Sequence, residues 1–242
     1  MDKIINIALI VIIVMCGWAG YRKGIIMGVG SIVVVVLSMY GANILSNTFS
    51  YEIIPVLRPF VSGYMEATVR EAVYDKLGID PEEDGSEYSV NDLLALNPSI
   101  VHEVLYVSVK TVGIWGSSAD VIAEESEMYV WQTGATCHSA VTEVLCEKIS
   151  YAGGFIIAFL LISITLTVIG NIPNFSFKLP YFELVDDIAG TALGIITGIM
   201  YCFVIVWALK FTGMFISEST VKAAPVAYLL LRIDLVSRFT GL

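Results

Sequence analysis

The stretch VDDIAGTALGIITGIM, residues 185–200, opens with two aspartates and then places glycine at 190, 194 and 198. Glycine costs a helix interior about 1 kcal/mol relative to alanine, so its recurrence here needs a use that offsets the cost. Positions four apart share a helix face. Gly190, Gly194 and Gly198 therefore form one bare strip, about 12 Å long at 1.5 Å per residue, and Ala189, Thr191 and Thr197 widen it. In lipid, helices gain little by hiding apolar surface from an equally apolar solvent, and close backbone approach across small residues supplies the packing instead. An earlier segment repeats the device with Gly24 and Gly28, followed by Gly30 and Gly41. These glycines read as helix-packing seams, with a pore lining as the alternative.

Composition points to the same medium. The chain of 242 residues is 57% hydrophobic and 15% charged, against about 45–50% and about 25% for a soluble domain. Four runs, 4–20, 25–46, 152–170 and 188–209, contain no Lys, Arg, Asp, Glu or His. A bilayer core about 30 Å thick needs about 20 such residues in a helix, whose backbone groups are then satisfied internally. The first run is short enough to be a signal peptide, but its basic residues, Arg22 and Lys23, follow it. Met15 before Cys16 also departs from the small residue expected at a lipoprotein cleavage site.

The pattern predicts an all-α integral membrane protein with four transmembrane helices in two antiparallel hairpins, and a mostly helical acidic insertion between spans 2 and 3. The expected domains are a first hairpin over 1–48, the insertion over 49–150, a second hairpin over 151–213 and an amphipathic tail over 214–242. The first turn, YRKG, is too short to separate its spans, while Pro173 and Pro180 mark the second connection as a loop. In the insertion, Met65, Val69, Val73 and Leu77 sit near helical spacing, residues 80–87 have loop composition, and Pro98 divides an apolar stretch. SSADVIAEESEMYVW, from Ser117, reads as a helix opening on a Ser/Asp cap. In the tail, Val226, Leu229, Leu230 and Ile233 are placed on one face. That face suits either the membrane interface or packing on the insertion.

Charge is unevenly distributed. Residues 49–150 hold 17 of the 23 acids and 5 of the 13 bases, an excess that excludes nucleic acid, which requires clustered cations. An acidic surface suits a cationic peptide or a basic protein. Asp186 and Asp187 suit the start of the helix that follows them, where carboxylates cap free N–H groups and meet the positive dipole end. A proton relay is the sharper reading, but no second ionisable residue lies within any of the four runs. Cys16 and Cys202 read as small packing residues. Cys137 and Cys146 form a candidate disulfide provided the helix breaks between them, since nine helical residues rise about 13.5 Å and a bridge spans under about 7 Å between Cα atoms. His102 and His138 show no zinc spacing and no nucleophile–base arrangement. No metal, cofactor or catalytic residue is assigned, and the chain reads as non-enzymatic.

GYRKG at 20–24 and DDIAGTALGIITG at 186–198 together resemble the colicin V production (CvpA) family of bacterial inner-membrane proteins. Lys23, Gly24, Asp186, Gly190, Gly194 and Gly198 stand at the matching positions. Asp187, Thr197, Met27 and Gly28 stand where the family often has Arg or Glu, and the insertion is long. The resemblance implies a cytoplasmic (inner) membrane protein with four spans. It also implies a part in toxin (colicin V-like) production or export, or in envelope homeostasis. Expected partners are the lipid bilayer, other membrane or envelope proteins and a second copy of the chain. The alternative is a subunit of an oligomeric channel or transporter, although transporters usually carry intramembrane charges or broken helices.

Counting basic residues at the membrane edges leaves orientation poorly determined. The densest cluster, Arg22 and Lys23, suits a cytoplasmic turn, and the acidic insertion suits the outside. Both termini and 49–150 are therefore expected to be extracytoplasmic. A cysteine placed at Ser86 should react with a membrane-impermeant thiol reagent in intact cells; reaction only after permeabilisation would reverse the topology.

Overall fold

The computed structural model describes residues 2–80, 89–171, 183–211, 221–233 and 235–240. Among them every regular element is helical: α1 (Asp2–Leu77), α2 (Val90–Leu96), a 3-10 turn (Pro98–Ile100), α3 (Val101–Thr111), α4 (Gly116–Thr133), α5 (Cys137–Asn171), α6 (Glu183–Leu209), α7 (Pro225–Ile233) and α8 (Leu235–Thr240). Three helices are long and apolar enough to cross a membrane: Lys3–Leu77, Cys137–Gly170 and Leu184–Leu209. The chain divides into two compact units. The first holds the described residues of Met1–Thr48, Ala152–Leu209 and Ile216–Gly241, the second those of Phe49–Tyr151 and Lys210–Phe215.

In the first unit, α1 is interrupted at Gly24, whose φ of 76° and ψ of −176° are not helical. This combination is essentially restricted to glycine. What the interruption does follows from the neighbours of α6. Going along α6, Gly190 meets Gly20, Gly194 meets Cys16 and Gly17, and Gly198 meets Ile13, while Cys202 reaches Leu9. On the other arm, Asp186 meets Ile25, Leu193 meets Gly28 and Thr197 meets Ser31. Partner numbers fall on one arm and rise on the other. The two arms therefore run in opposite directions beside α6, and the chain reverses at Gly24.

Helix α5 completes this unit. Ile162 lies against Gly41 and Gly154 against Ser46, so α5 is antiparallel to the second arm of α1. Phe155 packs edge-on to Trp207 at 5.1 Å, Phe159 meets Tyr201 at 5.8 Å, and the Ser163 and Tyr201 hydroxyls are 2.6 Å apart. Large apolar side chains on the outward faces, among them Ile4, Val14, Trp18, Leu161 and Ile188, are exposed, which is the arrangement a lipid solvent favours. Helices α7 and α8 pack against α6, and the Val226 N–H donates to Asn6 Oδ1 (3.2 Å).

The second unit has a conventional apolar core. Met65, Val69 and Val73 of α1, Val104, Leu105 and Val109 of α3, Ala119 and Ile122 of α4, and Val141 and Leu145 of α5 are buried together. Around it, Lys148 pairs with Glu125 (2.8 Å), Arg58 with Glu143 (2.6 Å) and Lys76 with Glu103. The more exposed Arg58–Glu143 and Lys76–Glu103 pairs contribute about 0–1 kcal/mol each.

Several sequence expectations change here. The helix of the second arm does not stop near residue 48 but continues to Leu77, with Pro55 and Pro59 inside it. The end of an apolar run marks the end of lipid, and helix propensity and packing carry the backbone further. Helix α4 begins at Gly116 with Trp115 at its N-cap and no side-chain cap, so the Ser/Asp signal at 117–120 falls inside the helix. In the tail, Ala227, Leu230 and Leu231 are buried while Leu229 and Ile233 are exposed. The face expected to act as one is thus split, and the helix packs on α6. The expected loop at 80–87 lies, apart from Asp80, outside the described residues, as do residues 172–182 of the second connection.

Leu105→Ala should destabilise the second unit by about 2–5 kcal/mol, seen as a lower urea midpoint of the full chain. Leu96→Ala, on a side chain 74% exposed, should stay within about 0.5 kcal/mol. Equal shifts for the two would contradict this core.

Candidate functional site

The sequence singled out Gly24, Gly28, Gly190, Gly194, Gly198, Asp186, Asp187, Arg22 and Lys23. The structure brings most of them to the turn of α1 and the first half of α6. A Cβ on Gly190 would meet Gly20 O at 2.5 Å and Gly24 Cα at 3.0 Å. One on Gly20 would come within 3.0 Å of Gly194 Cα, and one on Gly198 within 2.9 Å of Ile13 Cα. Real Cβ contacts are not this short, so backbone lies directly on backbone. Gly28 faces a side chain instead, Leu193 Cβ at 2.9 Å.

Asp186 is fully buried, at 0% exposure. The Ile25 N–H donates to its Oδ1 (2.8 Å), while Oδ2 has no hydrogen-bond partner among the described residues. Ile25 is the first residue of the second arm, and the first N–H groups of any helix lack intrahelical acceptors. Asp186 therefore caps the arm of another helix, not the helix that it opens. This corrects the sequence expectation. The buried side chain of α6's first turn is aimed across the seam, and the Gly24 turn brings an orphan N–H to it. A Cβ on Gly24 would collide with the Asp186 carboxylate, so space and backbone angle both require glycine there.

Asp187 is half-buried, and its carbonyl accepts from Thr191 Oγ1 (2.7 Å). Arg22 is exposed and Lys23 half-buried. Cys137 and Cys146 are both buried, free thiols on the unbroken helix α5. The break that a disulfide requires is absent, so the candidate bridge does not form. No group of three or more His, Cys, Asp or Glu is placed to hold a metal ion among the described residues.

Sequence reading did not find the partners of the α6 strip. Gly17 and Gly20 oppose it together with the Cys16 backbone, and Ser31 Oγ lies 3.0 Å from Thr197 Oγ1. The spacing of Gly17, Gly20 and Gly24 at the end of the first arm was the available signal.

Residues 125–234 match the family described as Colicin V production protein. The matched segment begins within α4 and runs through α5, α6 and α7, so it contains Asp186 and the three α6 glycines. The opposing glycines on α1 lie outside it. No curated protein and no solved structure matches the chain.

Asp186→Ala should destabilise the chain in detergent by about 1–3 kcal/mol, the effect of losing a charge-assisted bond to a buried donor. Gly24→Ala should cost at least as much, because strained backbone of this kind costs about 1–3 kcal/mol before any clash is counted. Thermal midpoints followed by tryptophan fluorescence check both. Gly63→Ala, where a Cβ meets nothing within 4 Å among the described residues, is the control. A midpoint for Asp186→Ala equal to that control would remove the cap from the account.

Proposed function

We propose that the chain is a non-enzymatic protein of the bacterial inner membrane that crosses it four times and presents its acidic helical unit outside. There it engages a cationic partner in toxin production or export, or in envelope homeostasis. The observation that carries the reading is the colicin V production match across α5 and α6, which includes the glycine face of α6 that lies on the first arm of α1 and its turn. The two arms would be the first two crossings and the apolar parts of α5 and α6 the third and fourth. Each of these segments has about the 20 residues that a bilayer core demands.

The glycines and Asp186 act in this scheme as architecture. They hold the crossings together without interhelical charges, and so leave the second unit as the surface for a partner. Glu66, Glu71 and Asp75 of α1 are all exposed, and residues 49–150 are near −12 in net charge from 5 bases and 17 acids. A field of that sign raises the local concentration of cations and steers basic proteins or peptides to the surface. A channel or transporter subunit is less well supported: among the described residues of the crossings the fully buried charged side chain is Asp186, and its Oδ1 is bound to backbone.

Capture from native membranes provides the test. The triple variant Glu66→Lys, Glu71→Lys, Asp75→Lys alters only exposed side chains and should lose basic co-purifying proteins that the parent chain retains at low salt. Capture of the same set by both chains would count against a cationic partner at this unit.

A further inference from the structure

We propose that the outward face of α4 is a docking surface for a basic segment of a partner protein, with an arginine of that segment stacked on Trp131 and paired with Glu124 and Glu127. The inference rests on the reading that the acidic unit engages a cationic partner, and it names the face and the contacts.

Helix α4 has two faces. Ala119, Ile122 and Ala123 enter the core of the second unit, and Ser126 is buried beside them. On the other side, Glu124, Glu127, Met128 and Trp131 stand at i, i+3, i+4 and i+7, which is one stripe of a helix. Met128 is 51% and Trp131 67% exposed, Glu124 is exposed and Glu127 half-buried. Glu127 Oε1 lies 3.5 Å from Trp131 Nε1, a long contact that turns the indole edge toward the carboxylate. The acids of α4 are Asp120, Glu124, Glu125 and Glu127, and the helix has no Lys or Arg. Asp120 lies 3.7 Å from His102 and Glu125 2.8 Å from Lys148. Among the described residues, Glu124 and Glu127 have no such cation beside them.

Lipid does not suit this stripe. The short connection over residues 134–136 and the Lys148–Glu125 pair make α4 and α5 an antiparallel hairpin. Trp131 lies six residues beyond Glu125, and it lies away from the uncharged run that starts four residues beyond Lys148, at Ala152. At 1.5 Å per residue, Trp131 is about 15 Å short of that run along α5, whereas headgroups extend about 5–8 Å beyond the hydrocarbon core. A second copy suits it no better, since stripe on stripe would set the glutamates of two chains against each other. A basic segment supplies what the stripe lacks. A guanidinium stacks on an indole face and binds carboxylates through a fixed fork of donors, and an apolar neighbour in the segment covers Met128. Trp, Met and Arg are the residue types enriched where proteins meet. Lysine, a compact and strongly hydrated charge, uses the same place less well.

The experiment uses the full chain in phosphatidylcholine nanodiscs and a fluorescein-labelled synthetic peptide of alternating arginine and leucine. Binding is read by fluorescence anisotropy at low salt, against empty discs. The parent chain should bind this peptide, and should bind its lysine-for-arginine counterpart more weakly. Trp131→Ala should weaken binding about tenfold, the size of one desolvated cation–π contact, and Trp131→Phe should weaken it less. Glu124→Gln with Glu127→Gln should also weaken binding, and added salt should shrink that difference. Leu96→Ala, on an exposed side chain outside the stripe, should leave the affinity unchanged. Unchanged affinity in Trp131→Ala, with binding lost in the Glu66→Lys, Glu71→Lys, Asp75→Lys variant, overturns this face and leaves the cationic-partner reading standing. A parent chain that binds the peptide no better than empty discs do overturns both. Equal affinity for the arginine and lysine peptides overturns the stacked arginine. A dimer of the parent chain that Trp131→Ala dissolves makes the stripe a self-contact, and that also overturns the proposal.

Discussion

The first backbone N–H groups of a helix have no intrahelical acceptor, and burying one without a partner costs about 1–3 kcal/mol. The reversal of α1 at Gly24 creates such a group at Ile25. It is answered from another helix, by the carboxylate of Asp186 at 2.8 Å. Much of the first unit follows from that bond. It requires α6 to start beside the turn. It fixes the register in which Gly190, Gly194 and Gly198 descend between the arms. It also requires a residue without a side chain at position 24, because the carboxylate occupies the space where a Cβ would stand.

Within that register, small residues decide how close the helices come. Where α6 faces the first arm, glycine opposes glycine or bare backbone. Where α6 faces the second arm, contacts pass through side chains such as Leu193 and through the Ser31–Thr197 hydroxyls. The difference leaves α6 tight on one side and looser on the other. A cavity beside Ser31 and Thr197 is lined from both arms, with Cys16 and Gly20 on one wall and Met27 and Val34 on another. Hydroxyls suit such a place because each satisfies its own helix, as Ser38 does with Val34 O at 2.7 Å, so no charge has to enter the apolar interior.

The sequence made the helical class, the membrane setting and the strip on α6 legible, because periodicity and the absence of charge are local signals. What it hid was mostly non-local. Asp186 reads as a cap for its own helix, since nothing near it in the chain shows that Ile25 comes to it. Gly17 and Gly20 look like ordinary residues of an apolar run until α6 is laid against them. The continuation of α1 to Leu77 was obscured because hydrophobicity reports where lipid ends, not where the helix ends. The disulfide failed for a local reason: residues 137–146 carry neither proline nor glycine to interrupt the helix.

The bond between Ile25 and Asp186 joins residues 161 positions apart. A ribosome adding about 5–20 residues per second needs on the order of ten seconds to get from one to the other. During biogenesis, therefore, the opening hairpin must wait with its turn unfinished while everything up to α6 is translated. The reversal at Gly24 is thus completed by a residue translated 161 positions after Ile25.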